Sequence, residues 1–277
     1  MIQDISPHIF DNQYRPRPPA GGCTVLCYQE KKVLVGKNGN GTIHLPTFDE
    51  MAAVSTAVYD PATYLFAIDE QAFYLPGQVA PPVGYTWEPL FKVLREEPRH
   101  LAFAALTGYQ LFNWYESRKF CGRCGAPVRK DDKERALACP VCGQMEYPKI
   151  APAVIIAVTN GNRLLLARYP HFDQYALIAG FVEVGETLEE TVKREVMEEA
   201  GLRVTNIRYY KSQPWSIADN VLAGFYCDVE GPDTVRVDTN ELADAVWVER
   251  EDIPFESFNG SLTSEMIGFF KNGTTDN

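Results

Sequence analysis

At 277 residues the chain exceeds one typical domain, so length favours two, each with room for its own core. Apolar residues at 45% and charged residues at 23% exclude a disordered chain, and no run reaches the ~20 apolar residues that a membrane-spanning helix needs. A net charge of −11 argues against general attraction to nucleic-acid backbones; a polyanionic substrate would need cations to screen its approach.

Met1 to Ala20 is polar, carries prolines and lacks a signal-peptide core, so a cytoplasmic protein is expected. From Gly21 to about Gly77 short apolar runs (Thr24 to Tyr28, Lys32 to Val35, Tyr64 to Ile68, Ala72 to Leu75) alternate with turn formers such as Lys37-Asn38-Gly39-Asn40-Gly41. This pattern predicts a small antiparallel β-rich domain over residues 1–85. Ala80-Pro81-Pro82-Val83-Gly84 reads as a linker. Leu101, Ala105, Tyr109, Phe112 and Tyr115 then recur at threes and fours, which predicts a helical connection over 86–119 leading into Cys121.

Residues 120–148 hold two matched turns, Cys121-Gly122-Arg123-Cys124-Gly125 and Cys139-Pro140-Val141-Cys142-Gly143. Zinc takes four ligands in a tetrahedron, and two such turns facing each other supply four thiolates. A closed four-cysteine site leaves no coordination position for chemistry, so a structural cross-link is the expected role; nucleic-acid binding and redox exchange are weaker readings. Cys23, Cys27 and Cys227 have no comparable pattern and read as ordinary buried thiols.

A second, mixed domain is predicted over 149–277. Ala153 to Thr159 and Arg163 to Ala167 flank Asn160-Gly161-Asn162, a hairpin signal. Thr187 to Ala200 opens on Thr187-x-x-Glu190, a capping box, and stops at Gly201, which predicts a helix with Leu188, Val192 and Val196 facing the core. Asn206 to Lys211, Val221 to Val229 and Ala245 to Arg250 read as strands.

The helix carries the chemistry. Gly180-x5-Glu186-x7-Arg194-Glu195-Val196-x-Glu198-Glu199-x-Gly201-Leu202 fixes nine identities over twenty-three positions. Helical spacing projects Glu195, Glu198 and Glu199 as one carboxylate cluster, costly without a cation. Magnesium or manganese, hard cations that prefer oxygen, resolves that cost and leaves positions for water and phosphate. Arg194 is expected to pair with Glu186 and orient it.

These residues match the Nudix box without a departure. With the ribbon and Ser212-Gln213-Pro214-Trp215 beyond it, the chain resembles the NADH pyrophosphatase (NudC-like) family of Nudix hydrolases over nearly its whole length. The resemblance implies an α+β chain: a β-rich N-terminal domain, a zinc ribbon held by Cys121, Cys124, Cys139 and Cys142, and a C-terminal Nudix α/β/α sandwich with a mixed sheet. It implies catalytic metals on Glu195, Glu199, Glu241 and the carbonyl of Ala179. Glu134, Tyr147, Gln213, Pro214, Trp215, Ser216, Ile217, Ala218, Asp219, Asn220 and Thr263 match places where the family contacts its dinucleotide. A homodimer is implied too.

One stretch departs. The family's Ser-Gln-Pro-Trp-Pro-Phe-Pro-x-Ser continues here as Ser216-Ile217-Ala218-Asp219-Asn220. The leading expectation is metal-dependent hydrolysis of NADH or NAD+ to nicotinamide mononucleotide and AMP, extended to removal of NAD caps from RNA. The departure keeps a second reading open: a diphosphatase for another nucleotide, such as ADP-ribose or a dinucleoside polyphosphate. A non-catalytic nucleotide-binding module is a third, opposed by three costly neighbouring carboxylates. Glu198 and Glu199 are the candidates to take a proton from water, and Phe181, Trp215 and Tyr147 to offer flat surfaces to a ring.

Overall fold

The structure, a computed structural model, describes residues 1–78, 80–170, 174–253 and 260–273. The chain divides into two compact units, Ile2–Lys149 with Ser216–Asp219, and Met1 with Ile150–Trp215 and Asn220–Asn277. Among the described residues no helix is long and apolar enough to cross a membrane.

The N-terminal unit opens with short strands β1 (Phe10–Asp11), β2 (Thr24–Val25) and β3 (Tyr28–Gln29), then β4 (Lys32–Lys37) and β5 (Ile43–His44). Helix α1 (Phe48–Ala52) begins at Thr47, whose side chain and that of Glu50 form a capping box. Strands β6 (Thr63–Ile68) and β7 (Gln71–Leu75) follow, then β8 (Tyr85–Pro89), α2 (Leu90–Val93) and α3 (Arg99–Ser117). One sheet has the order β1-β6-β7-β2, and a second joins β3, β4 and β5 with β8 on β4.

Two expectations change here. The sheets are not wholly antiparallel, because β2 runs parallel to β7. Residues 86–89, expected to open the helical connection, instead continue from Tyr85 as a strand on β4. Tyr85, Thr86 and Trp87 are β-favouring residues, and pairing with the buried Val33 to Val35 overrides the helical period that begins downstream. Cys27 and Cys227 are buried as expected, whereas Cys23 is only half-buried.

In the C-terminal unit, β12 (Ala151–Asn160), β13 (Arg163–Arg168), β14 (Ile178–Phe181), β15 (Arg203–Trp215), β16 (Asn220–Glu230) and β17 (Asp244–Glu249) form one sheet; β9 to β11 belong to the cysteine region described below. Its order is β15-β16-β12-β13-β17, with β14 also on β12. The β12–β16 pair is parallel and the others antiparallel, so the sheet is mixed.

Alternation along β12 explains the layers. Val154, Ile156 and Val158 point to one face, under Val192, Val196 and Ala200 of α4 (Leu188–Ala200). Ala153, Ile155 and Ala157 point to the other, under Leu262, Met266 and Phe270 of α5 (Leu262–Lys271). Val192 and Val196 are fully buried, and each such burial is worth roughly 1.5–3 kcal/mol. An α/β/α sandwich results. Sequence periodicity foresaw neither β14 nor α5.

Candidate functional site

Helix α4 forms where the pattern placed it. Thr187 Oγ1 accepts from the Glu190 amide at 3.2 Å, Glu190 Oε2 accepts from the Thr187 amide at 2.8 Å, and Gly201 closes the helix at φ +67°. With the helix pinned at both ends and its apolar side seated on β12, its carboxylates have a fixed direction.

That direction brings Glu195 against β14. A Cβ on Gly180 would lie 1.9 Å from the Glu195 carboxyl carbon, so only glycine lets the strand and the carboxylate approach this closely. Glu195 and Glu199 are buried, and their carboxylate oxygens lie within 4.8 Å of each other and of Glu241, which reaches in from the exposed turn before β17. Glu198 is not in this trio. It lies four residues beyond Arg194, and Arg194 Nη1 holds it at 2.9 Å with about half its side chain in solvent. The carboxylates brought together are thus Glu195, Glu199 and Glu241, the three that the resemblance names for the metals, while Glu198 stands beside Glu195 on the same Arg194 nitrogen.

Arg194 organises the rim. Its Nε and Nη2 donate to the two oxygens of Glu186 at 2.6 and 2.9 Å, its Nη1 donates to Glu195 at 2.7 Å, and its Nη2 also donates to the Phe181 carbonyl at 2.9 Å. The forked guanidinium suits this task as an ammonium would not. It holds the Glu186 carboxyl down to about 2, with the Glu183 amide assisting.

Burial dominates deeper in. It pushes Glu199 up to about 8 despite the Tyr169 hydroxyl, which donates to Glu199 Oε2 at 3.2 Å and accepts from the Ala179 amide at 2.9 Å. Glu195 is also raised by burial, against the pull of Arg194. Three carboxylates beside one arginine, two of them buried, are a donor set that a hard divalent cation fits and that costs energy without one. Tyr169 escaped the sequence reading; a tyrosine just after the hairpin's second strand was the only signal.

The four cysteines also meet. Strands β9 (Arg129–Lys130), β10 (Leu137–Ala138) and β11 (Met145–Glu146) form a small antiparallel sheet beside them. The two turns repeat one geometry: Gly125 and Gly143, at φ +75° and +73°, donate to the carbonyls of Cys121 and Cys139 at 2.9 and 3.0 Å. Sγ atoms stand 3.6 Å apart for Cys121–Cys142 and 3.5 Å for Cys124–Cys139. Four sulfurs ~2.3 Å from a tetrahedral zinc would stand roughly 3.8 Å apart, so the set fits that ion. Backbone amides, first that of Cys142, hold the Cys139 thiol down to about 6.

The remaining candidates separate by surroundings. Phe181 and Tyr147 are half exposed, not packed in a core, and Tyr147 Oη donates to Glu134 at 2.7 Å. Trp215 is partly buried on the α5 side of the sheet and Pro214 is exposed. Gln213 is fully buried: Nε2 donates to the Gly260 carbonyl and Oε1 accepts from the Leu262 amide, both at 2.7 Å, which fixes the start of α5 where half-buried Thr263 sits. Ser216, Ile217 and Ala218 form a 3-10 turn. Asp219, at φ +54°, accepts from Asn113 at 2.9 Å through Oδ2, while its Oδ1 and the Oδ1 of Asn220 are buried without a partner among the described residues.

Comparison with known proteins agrees with this geometry. Residues 149–266 match the NUDIX domain family and residues 116–147 the NADH pyrophosphatase zinc ribbon domain. The chain is 40% identical over 180 residues to a protein of Klebsiella pneumoniae named NAD-capped RNA hydrolase NudC, covering 64% of this chain and 69% of that one. It is 37% identical over 212 residues to a protein of Salmonella heidelberg with the same name, covering 70% and 82%. A solved NUDIX hydrolase from Nitrosomonas europaea is 25% identical, with a TM-score of 0.48 over 56% of this chain and 91% of that one. The metal-ready carboxylates and the ribbon therefore have one common explanation: the chain belongs to the NudC-like, NADH pyrophosphatase family of zinc-ribbon Nudix hydrolases.

Proposed function

We propose that the enzyme hydrolyses the diphosphate of NADH or NAD+ to nicotinamide mononucleotide and AMP, and removes NAD caps from RNA. The observation that carries the reading is the convergence of Glu195, Glu199 and Glu241 beside Gly180, in a chain whose relatives are named NAD-capped RNA hydrolases. Glu195, Glu199, Glu241 and the Ala179 carbonyl would hold magnesium or manganese, and Cys121, Cys124, Cys139 and Cys142 a structural zinc. Divalent cations held there would supply positive charge to the phosphate oxygens and activate water.

The chain's own residues do the rest. Arg194 acts as a positioning residue, holding Glu186, Glu195 and Glu198 through one guanidinium. Glu198 or Glu199 accepts the proton of the attacking water; the half-exposed Glu198 has the freer access, and Glu199 lies buried in the carboxylate trio. Phe181, Tyr147 and Trp215 offer ring faces, with Glu134 steadying Tyr147. Gln213 serves through the start of α5 and Thr263; Pro214 and Ser216 to Asn220 shape the neighbouring turn.

The division into residues 1–85, 86–119, 120–148 and 149–277 assigns metal chemistry to the last segment and the structural metal to the third. We place the enzyme in the cytoplasm as a homodimer: reduced thiolates suit that compartment, and family resemblance supports the pairing. A second reading, a diphosphatase for ADP-ribose or a dinucleoside polyphosphate, is favoured by the orphaned acceptors of Asp219 and Asn220 at the divergent stretch.

The test follows products from NADH, NAD+, ADP-ribose and diadenosine polyphosphates with manganese or magnesium, using Glu199→Gln as control. AMP and nicotinamide mononucleotide released by the parent and not by the variant support the first reading. Intact NADH beside a cleaved alternative selects the second.

A further inference from the structure

The N-terminal unit holds a hollow unconnected with the carboxylate helix in sequence or chemistry. Its volume is 880 Å³, and its walls come from β3, β8, α3 and the strands of the cysteine region. Drug-sized ligands occupy pockets of roughly 300–1,000 Å³. Four aromatic rings line it, those of Tyr28, Trp87, Phe112 and Tyr115. Tyr28 and Phe112 stand 5.1 Å apart at 33°, and the Tyr28 hydroxyl is spent on the Ala105 carbonyl at 2.6 Å, so Tyr28 presents a ring to the space and not a polar tip.

The charge of the lining opposes that of the chain. Arg118, Lys119, Arg129 and Lys130 face one carboxylate, Glu116, in a protein whose net charge is −11. Arg118 pairs with Glu146 at 3.0 Å and Lys119 with Glu116 at 2.7 Å. Lys130 has no such partner among the described residues: its ammonium donates to Thr63 Oγ1 and lies 5.3 Å from the Tyr115 ring centroid. An ammonium carries three donors, so two are left to solvent or to a ligand. Burial lowers its proton affinity and no carboxylate offsets that. Yet Lys130 keeps much accessible surface, and it lines the hollow. Lys130 is thus solvent-exposed with no carboxylate partner among the described residues, and its ammonium can take an anion that enters the hollow beside it.

We propose that this hollow is a second ligand site, for a nucleoside monophosphate: the base against the aromatic wall that Tyr28, Trp87, Phe112 and Tyr115 form, the phosphate on Lys130 and Arg129. Ring stacking is tolerant of which base is present, while a phosphate on an otherwise unpaired lysine gains a charge-assisted hydrogen bond. The site is independent of the diphosphatase reading, because it uses none of the residues assigned to that reaction.

The experiment is photolabelling of the full-length, zinc-loaded protein with 8-azidoadenosine monophosphate, without added magnesium or manganese, followed by peptide mapping. Labelled peptides containing Trp87 or Phe112 to Tyr115 are expected, competed by AMP and far less by adenosine or inorganic phosphate. Lys130→Gln is expected to cut this labelling by about tenfold, Lys130→Arg to retain most of it, and Glu199→Gln to leave it unchanged. Labelling confined to residues 150–253, or indifference to Lys130→Gln, overturns the proposal. Adenosine competing as well as AMP removes the phosphate contact, and phosphate competing as well as AMP removes the ring contacts; either also overturns it. Should Lys130→Gln lose its zinc or helical signal, the charge-preserving Lys130→Arg and the competition series decide.

Discussion

Replacing Gly180 with alanine tests the link between sheet packing and metal chemistry. The added Cβ would lie 1.9 Å from the Glu195 carboxyl carbon and from Oε1, and 2.4 Å from Oε2. Gly180 has no left-handed backbone torsion, so alanine brings no backbone strain, and the atoms in its way are the end of a side chain. The strand therefore keeps its register opposite Val154, and Glu195 swings aside by roughly 1.5 Å to reach ordinary contact. That displacement breaks the 2.7 Å contact to Arg194 and takes one oxygen out of the trio with Glu199 and Glu241. Misplacing a reacting group by about 1 Å costs on the order of 100-fold in rate, and a displaced ligand also weakens the cation. We expect kcat/KM for diphosphate hydrolysis to fall by about 100-fold or more, with a higher manganese concentration needed for half-activity and a melting temperature within about 3 °C of the parent. Steady-state kinetics across a manganese titration, paired with a thermal melt by circular dichroism, gives all three numbers. Unchanged activity and manganese dependence would refute the reasoning, and so would a collapse of the fold, because it would place the cost in the strand and not in the carboxylate.

Three further outcomes follow from local contacts. Thr187→Ala removes half of the capping box of α4 and should cost about 1 kcal/mol of stability, seen as a melting temperature lower by a few degrees, while kcat stays near the parent value. Cys139→Ser should abolish zinc retention measured by mass spectrometry after gel filtration; in the parent, zinc should be released on acidification, since protons compete for the thiolates. Asp228 resists burial through Arg208, Asn206 and Thr159, and its carboxyl ends below the usual range. A group depressed in the folded state stabilises above its unfolded pKa of about 3.9 and loses that contribution as pH falls. Asp228→Asn should therefore melt below the parent at pH 7, with the gap closing under pH 4; a gap that widens in acid contradicts the assignment.

What sequence reasoning reached was what short spacings encode. Thr187, Glu190 and Gly201 announce the ends of α4 within its own length, and Val192 and Val196 announce its buried side. The cysteine turns are local too. β14 was missed because Ile178–Phe181 is four residues long, carries a glycine and has no alternation; only its pairing with β12 makes it a strand. The parallel contact of β2 with β7 joins residues about fifty apart, and no local signal sets its direction. Glu241 came from resemblance alone, because the turn that carries it reaches Glu195 and Glu199 only after the sheet has closed. The hollow around Lys130 draws on six separated stretches and had no sequence signature.

The nine identities of the box can now be divided by what they touch. Val196 and Leu202 are buried in the core between the helix and the sheet, and Gly201 supplies the left-handed turn that stops the helix. Gly180 makes room for Glu195; Arg194 ties together Glu186, Glu195 and Glu198; and Glu199 lies buried against Tyr169. Three of the nine thus serve folding and six serve one polar assembly. The two sets are interleaved because a helix face alternates between core and site every three or four residues. A substitution in the first set should alter stability with the remaining enzyme still active per folded molecule, and one in the second should lower turnover in a protein that stays folded. The fixed spacing of the box therefore follows from one helix facing two environments, the sheet beneath it and the carboxylate cluster beside it.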